Sequence, residues 1–356
     1  MSSNPLSRVR IVGSGLIGTS IGLALVQLGV SVEMVDVDKQ AQALAGDLVN
    51  GTKVENPQLV IMAIPTSQLP LIIEGEFHLN PQSTFMDIGS IKNEVQLYVE
   101  RFPELLPRFV PTHPMAGREI GGAGAARADL FQGRSWIVTP NQGILGESKN
   151  LVSEMIRSIG ASIIEMPAAQ HDAAVARVSH LPQIISSLLA TQLIGSTEAA
   201  LDLAGQGLRD TSRIAGSDEK LWSEIIFSNR EEISTLLINL QSDLENLIES
   251  LDDPAEIEEF LKKGRQGKSL IPGKHGGKAR AYSFLPIVID DKPGQLAAIF
   301  NECAVMNVNV EDFGIEHSPG QLSALITLSL SDEDSIKLSE HLRSIGWNVH
   351  PIRKEK

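Results

Sequence analysis

Three short segments of this chain carry residue types that could do chemistry together. Gly13-Ser14-Gly15-Leu16-Ile17-Gly18 comes first, His113-Pro114-Met115-Ala116-Gly117 follows, and Arg209-Asp210-Thr211-Ser212-Arg213 comes last. A glycine turn that opens a helix lets a pyrophosphate approach free backbone N–H groups. An imidazole can take a proton near neutral pH. Paired guanidinium groups suit a carboxylate. Oxidising an alcohol bound to a dinucleotide site needs somewhere to put the hydroxyl proton, and the histidine supplies it.

The elements around these segments must position them. Residues 8–12 read as a strand and residues 16–28 as an apolar helix, so the glycine segment sits in the strand–turn–helix context it requires. Gly13 permits the tight turn, Gly15 the approach of the pyrophosphate, and Gly18 the packing of helix on strand. Ser14, Leu16 and Ile17 complete the loop. Asp36 ends the next strand, at an offset suited to a ribose diol. It would repel a 2′-phosphate and Val37 supplies no arginine, so NAD is favoured over NADP. The alternative is a glycine turn without a ligand. Ala63, Pro65, Gly89, Ser90 and His113 fall at or near later strand ends, where open α/β sheets bind ligands.

The other candidates keep two readings each. His113 is either a group in the crevice or a histidine satisfied by neighbouring backbone. Arg209 and Arg213 share a face if their stretch is helical. They are then either carboxylate ligands or partners of Asp202, Asp210 and Asp218. His171-Asp172 is either an oriented imidazole or a helix cap at a domain hinge, and His180 precedes Leu181-Pro182 at a helix start. Gly205 and Gly207 suit a tight turn into a helix. No Cys/His cluster is present, so no metal site is expected.

The 356 residues suffice for two or three domains. Strands alternate with helices up to residue 167, as in a doubly wound parallel sheet of Rossmann type. Residues 168–263 have helical period throughout, including a stripe of Leu221, Trp222, Ile225 and Ile226. Residues 264–282 read as a basic, glycine-rich linker, and its Gly273-Lys274 lacks the full spacing of a phosphate loop. From residue 283 the order β-α-β-β-α-β is that of a ferredoxin-like module. The net charge of −14 argues against nucleic acid and anionic membranes as partners. No apolar run reaches the ~18 residues of a spanning helix, the first residues lack a signal-peptide pattern, and Cys303 has no second cysteine to pair with. A cytoplasmic protein is expected.

Taken in order, five segments resemble the prephenate/arogenate dehydrogenases of tyrosine biosynthesis: the glycine turn, Asp87-Ile88-Gly89-Ser90-Ile91-Lys92, the histidine segment, Ser179-His180-Leu181-Pro182, and the Arg209–Arg213 segment running on to Ile214-Ala215. The resemblance covers residues from about 8 to 260. It implies an NAD-dependent oxidative decarboxylation of prephenate to 4-hydroxyphenylpyruvate, or of arogenate to tyrosine. His113 would accept the ring hydroxyl's proton, Ser90 would orient it, and Arg213 would bind a carboxylate. Glu119 matches an acidic residue that helps gate the site. His180 matches a histidine at the domain interface, and Gly207 is expected beside the substrate. Gln183 and Arg118 depart from common members, which carry a second histidine and a small hydroxyl residue there. Both are expected near the polar end of the substrate, and they leave prephenate and arogenate both open. The part from residue 283 resembles an ACT domain, with Asp291, Pro293 and Gly294 in its ligand-side turn. This implies tyrosine as effector, and the family resemblance implies a homodimer. The competing readings are another two-domain dehydrogenase and a sensor without turnover. Activity is expected to fall as His113 protonates near ~6.5.

Overall fold

The computed structural model describes residues 6–117, 120–271, 282–317 and 322–354. Packing divides the chain into two units, Met1–Ser242 and Asp243–Lys356. In the first, β1 (Arg8–Val12), α1 (Leu16–Gln27), β2 (Ser31–Val35), α2 (Lys39–Leu48), β3 (Leu59–Met62), α3 (Leu69–Leu79), β4 (Thr84–Asp87), α4 (Asn93–Val99) and β5 (Phe109–Pro114) alternate. β6 (Ser135–Val138), α5 (Gly146–Ser158) and β7 (Ser162–Glu165) complete a sheet of order β2-β1-β3-β4-β5-β6-β7. Along β3, Leu59 and Ile61 enter one apolar cluster and Val60 and Met62 another. Side chains alternate across a strand, so a strand apolar at every position needs cover on both faces.

The expectation of a wholly parallel sheet is corrected at one side. β6 runs antiparallel to β5, pairing Thr112 with Val138 and Pro114 with Trp136, and β7 follows β6 in parallel. Parallel neighbours need a long crossover, usually a helix. Between β5 and β6 the described chain offers only one turn of 3-10 helix, Ala123–Ala125. The strand therefore returns beside its predecessor. β2 and β3 flank β1 on opposite sides, so the order reverses there and a crevice opens at the strands' carboxyl ends.

Helices follow: α6 (Ala168–Val175), a π turn over Ala176–His180, α7 (Leu181–Thr191), α8 (Glu198–Leu201), α9 (Gln206–Ser212), a 3-10 turn over Arg213–Gly216, α10 (Glu219–Ser228) and α11 (Arg230–Glu249). The π turn has a local cause. Pro182 brings no N–H to the ladder, and Leu181 N–H reaches back five residues to Ala176 O. The wide turn absorbs one extra residue. Nine residues of regular helix span about two and a half turns, which would put His171 and His180 on opposite faces. With one residue absorbed they return towards the same side.

In the second unit, α12 (Pro254–Ser269) is followed by β8 (Ser283–Asp290), α13 (Gln295–Val305), β9 (Asp312–His317), β10 (Ser323–Leu330), α14 (Asp332–Ser344), β11 (Asn348–Val349) and β12 (Arg353–Lys354). Its antiparallel sheet has the order β11-β8-β10-β9, with β12 also on β8. Two details differ from the sequence reading. The segment read as linker from residue 264 is helical to Ser269, carrying Gly264 and Gly267 among Lys, Arg and Gln. Good helix formers offset the ~1 kcal/mol that each glycine costs. Residues 272–281, including Gly273-Lys274, lie outside the described residues. The last strand is split into β11 and β12, and Pro351, which cannot donate to a ladder, stands between them. In the Asp291–Gly294 turn all four residues are exposed. Gly294, at φ +90°, caps α13, and the Asp291 N–H donates to Leu322 O at 2.9 Å.

Candidate active site

The glycine turn is built by packing on one side and by room on the other. A Cβ on Gly13 would lie 2.0 Å from the Ala63 carbonyl oxygen, and φ there is +111°. A Cβ on Gly18 would lie 2.2 Å from Gly13 O, whereas around Gly15 nothing lies within 4 Å. Gly13 and Gly18 are thus fixed by the fold itself, and Gly15 faces the open space a pyrophosphate would need. The start of α1 turns its unpaired N–H groups in that direction. Ser14 is buried, and its hydroxyl has no hydrogen-bond partner among the described residues. Asp36 Oδ2 accepts from Ser14 N–H at 2.6 Å and Oδ1 accepts from Asp38 N–H at 2.9 Å. The carboxylate braces the turn and keeps lone pairs over for a ribose diol. The Lys39 ammonium, which the sequence reading passed over, donates to Asp36 O at 2.9 Å and Gln42 Oε1 at 3.1 Å. These residues fit a dinucleotide without a 2′-phosphate.

His113 is held at the end of β5 from two sides. Thr112 N–H donates to Asp87 Oδ1 at 3.1 Å, and Thr112 Oγ1 donates to Asp87 O at 2.6 Å while accepting from Trp136 Nε1 at 2.9 Å. Asp87 also pairs with the fully buried Lys92. Beyond the backbone, His113 Nδ1 lies 2.9 Å from His171 Nε2, and His171 Nδ1 lies 2.7 Å from Asp172 Oδ1. Burial pushes the His113 imidazole well below the usual histidine range, helped by His171, Lys92 and His180 nearby. His180 is also buried. Burial lowers it to about 4, and its Nδ1 lies 3.1 Å from Asn229 Nδ2, which also donates to Asp172 O at 2.9 Å.

One cavity of about 430 Å³ brings the turn and the histidine together. Of the expected residues, Gly15, Leu16, Ile17, Gly18, Ala63, Pro65, Gly89, Ser90 and His113 line it. Ser90 reaches the cleft, but the nitrogen of His113 that faces the protein is held by His171 instead. Gln183 is buried, and its Nε2 donates to Ile214 O at 2.9 Å, so it braces the 3-10 turn of Arg213–Gly216. Arg213 lies on that turn, exposed and outside the cavity lining; Gly207, exposed on α9, is outside it too. The turn leads into Ser217 and Asp218, which do line the cavity. Arg118 and Glu119 lie outside the described residues. Sequence reasoning missed Ser217, Asp218, Trp222 and Glu224 as cleft residues. The stripe containing Trp222 had been visible, but an apolar stripe does not distinguish core from cleft wall.

Residues 21–165 match the nucleotide-binding domain of prephenate dehydrogenase, and residues 167–263 match the dimerization domain of prephenate dehydrogenase. The chain is 29% identical over 353 residues to "Probable prephenate dehydrogenase NovF" of Streptomyces niveus, covering 95% of this chain and 98% of that one. It is 25% identical over 351 residues to the prephenate dehydrogenase of Bacillus subtilis (strain 168), covering 93% and 94%. The prephenate dehydrogenase of A. aeolicus, solved in complex with hydroxyphenyl propionate and NAD+, superposes with a TM-score of 0.68 at 26% identity. That match covers 75% of this chain and 99% of the other.

Proposed function

The chain belongs to the prephenate dehydrogenase family, and we propose on that footing that it catalyses the NAD-dependent oxidative decarboxylation of prephenate to 4-hydroxyphenylpyruvate, a step of tyrosine biosynthesis. The observation that carries the reading is the shared cleft: His113 stands in the same cavity as Gly15 and the start of α1. NAD+ supplies the hydride acceptor when bound. His113 takes the ring hydroxyl's proton as hydride leaves the carbinol carbon. Carbon dioxide leaves the opposite ring carbon, and the proton returns to the phenol oxygen as the ring becomes aromatic. Ser90 lines the cleft as a hydroxyl partner for the same oxygen. Arg213 is assigned to a substrate carboxylate, a charge-assisted bond contributing about 1.5–3 kcal/mol.

A second reading has its own support. The charged residues lining the cleft among those described are Asp218 and Glu224, with no Lys or Arg. Carboxylates there favour a substrate that carries an ammonium group, as arogenate does. NADH formation with each purified substrate decides between the two. Turnover of prephenate supports the first reading, turnover of arogenate alone supports the second, and no turnover of either overturns both.

The C-terminal sheet with its two helices supports an ACT domain, and the Asp291–Gly294 turn is the place assigned to a tyrosine effector. Tyrosine added to the same assay is expected to inhibit. A homodimer is supported by the dimerization-domain match and by the exposed Ile238, Leu244 and Ile248 of α11. A cytoplasmic setting belongs to the same proposal, supported by the lone Cys303.

The pH dependence follows from the environment of His113. Its folded value lies well below the ordinary one, so the neutral, proton-accepting form persists to lower pH than in a free histidine. Activity is therefore retained through ~6.5 and lost only as pH falls through the depressed value. The midpoint is therefore expected below the ~6.5 of the residue type alone. The acid limb of kcat/KM reads the free enzyme, and a half-maximal point at ~6.5 would overturn the assignment.

A further inference from the structure

The hydrogen bonds behind His113 determine which of its nitrogens carries the proton. Asp172 sits against the start of α4. Its Oδ1 accepts from Lys92 N–H at 2.9 Å and its Oδ2 accepts from Asn93 N–H at 2.8 Å. Backbone N–H groups can only donate, so both oxygens are held as acceptors. His171 Nδ1, 2.7 Å from Oδ1, must then carry a hydrogen. The Nε2 of a neutral His171 is left as an acceptor, and it faces His113 Nδ1 at 2.9 Å. His113 completes that contact only by donating from Nδ1, which leaves Nε2 with a lone pair. Nε2 has no hydrogen-bond partner among the described residues, and the ring borders the cleft.

We propose that His171 and Asp172 are positioning residues that hold His113 as its Nδ1–H tautomer, so that Nε2 meets the substrate as an acceptor. The proposal deepens the reading of His113 as proton acceptor and rests on it. Each element packed around the histidine contributes. His171 and Asp172 come from α6, both buried, and His180 comes from the π turn, held by Asn229 of α11's approach. Lys92 comes from the loop after β4, paired with Asp87. Asn229 Nδ2 donates to Asp172 O as well as to His180 Nδ1, which ties the carboxylate's own backbone in place. When His113 takes the substrate's proton on Nε2, its Nδ1–H still has His171 to point at, and the carboxylate of Asp172 stands behind.

The test reads the tautomer directly. In the full-length protein with 15N-labelled histidine, the His113 ring nitrogens are distinguished by NMR. The wild type is expected to show a protonated Nδ1 and an unprotonated Nε2. Asp172→Asn replaces one acceptor oxygen by an NH2 group. One acceptor oxygen then faces three donors, Lys92 N–H, Asn93 N–H and His171 Nδ1–H, so the hydrogen is no longer fixed on His171 Nδ1 and the Nε2–H form of His113 becomes populated. kcat is then expected to fall on the order of 10²- to 10⁴-fold, the scale of an imidazole locked in the wrong tautomer. KM and NAD affinity should stay within about threefold, since ground-state binding is untouched. Should Asp172→Asn fail to fold, a second pair of variants carries the test. His171→Gln keeps an acceptor for His113 Nδ1–H and His171→Leu removes it, so the Gln variant is expected to keep at least about tenfold more kcat. A wild-type His113 protonated at Nε2, or equal kcat in the Gln and Leu variants, overturns the proposal. The expected tautomer in a protein that turns over neither prephenate nor arogenate supports the hydrogen-bond assignment and overturns the functional reading instead.

Discussion

Replacing His113 by Asn is expected to lower kcat by about 10²- to 10⁴-fold, the usual contribution of a positioned general base. NAD affinity should change by less than about threefold, because the turn that would hold the cofactor is built by Gly13, Gly15, Gly18 and Asp36. The substitution is chosen for its shape. The Asn amide can stand where the Nδ1 side of the ring stands and still donate towards His171 Nε2, 2.9 Å away in the native protein. It places nothing at Nε2, so the variant removes the acceptor while keeping the contact behind it. Single-turnover NADH formation reads the chemical step, and a fluorescence titration reads the cofactor. An unchanged kcat would remove the histidine from the mechanism. A large loss of NAD affinity with an unchanged single-turnover rate would make it a cofactor ligand instead.

How much of this was legible in the sequence depends on distance along the chain. The glycine turn was readable because strand, turn and helix follow one another between Arg8 and Gln27, and each glycine answers a local demand. His113 was readable as a strand-end histidine before a proline. Its link to His171 was not, because the two are far apart in the chain and meet only when α6 packs against the sheet. The pair His171-Asp172 offered two readings, and the geometry selects the oriented imidazole: Asp172 takes the N–H groups at the start of α4, another helix, while holding its neighbour. Gln183 was placed by likeness at the polar end of the substrate, yet its side chain is committed to Ile214 O. The antiparallel β6 escaped notice because a strand pattern carries no direction. Direction is set by the connection, and the one before β6 has no crossover helix among its described residues.

The glycine turn allows a sharper test of the cofactor site, because two of its glycines have opposite structural reasons. Gly18→Ala adds a methyl 2.2 Å from Gly13 O and 2.9 Å from the Ala63 Cβ, against backbone that cannot swing away. Overpacking of this kind costs about 1–3 kcal/mol, and each kcal/mol moves the melting point by roughly 2–4 °C in a unit of this size. Gly15→Ala adds a methyl with nothing within 4 Å, at φ −77° and ψ −169°, a conformation alanine adopts freely. Its melting point is expected to match the wild type. That methyl nevertheless occupies the space left open in front of α1, so NAD affinity is expected to fall at least about tenfold, equivalent to ~1.4 kcal/mol. Gly18→Ala should lose both stability and affinity, and Gly15→Ala affinity alone. Thermal unfolding without cofactor, paired with an NAD titration, separates the two. If Gly15→Ala bound NAD as tightly as the wild type, the pyrophosphate would not lie against this turn, and the dinucleotide would have to enter the cleft from another side.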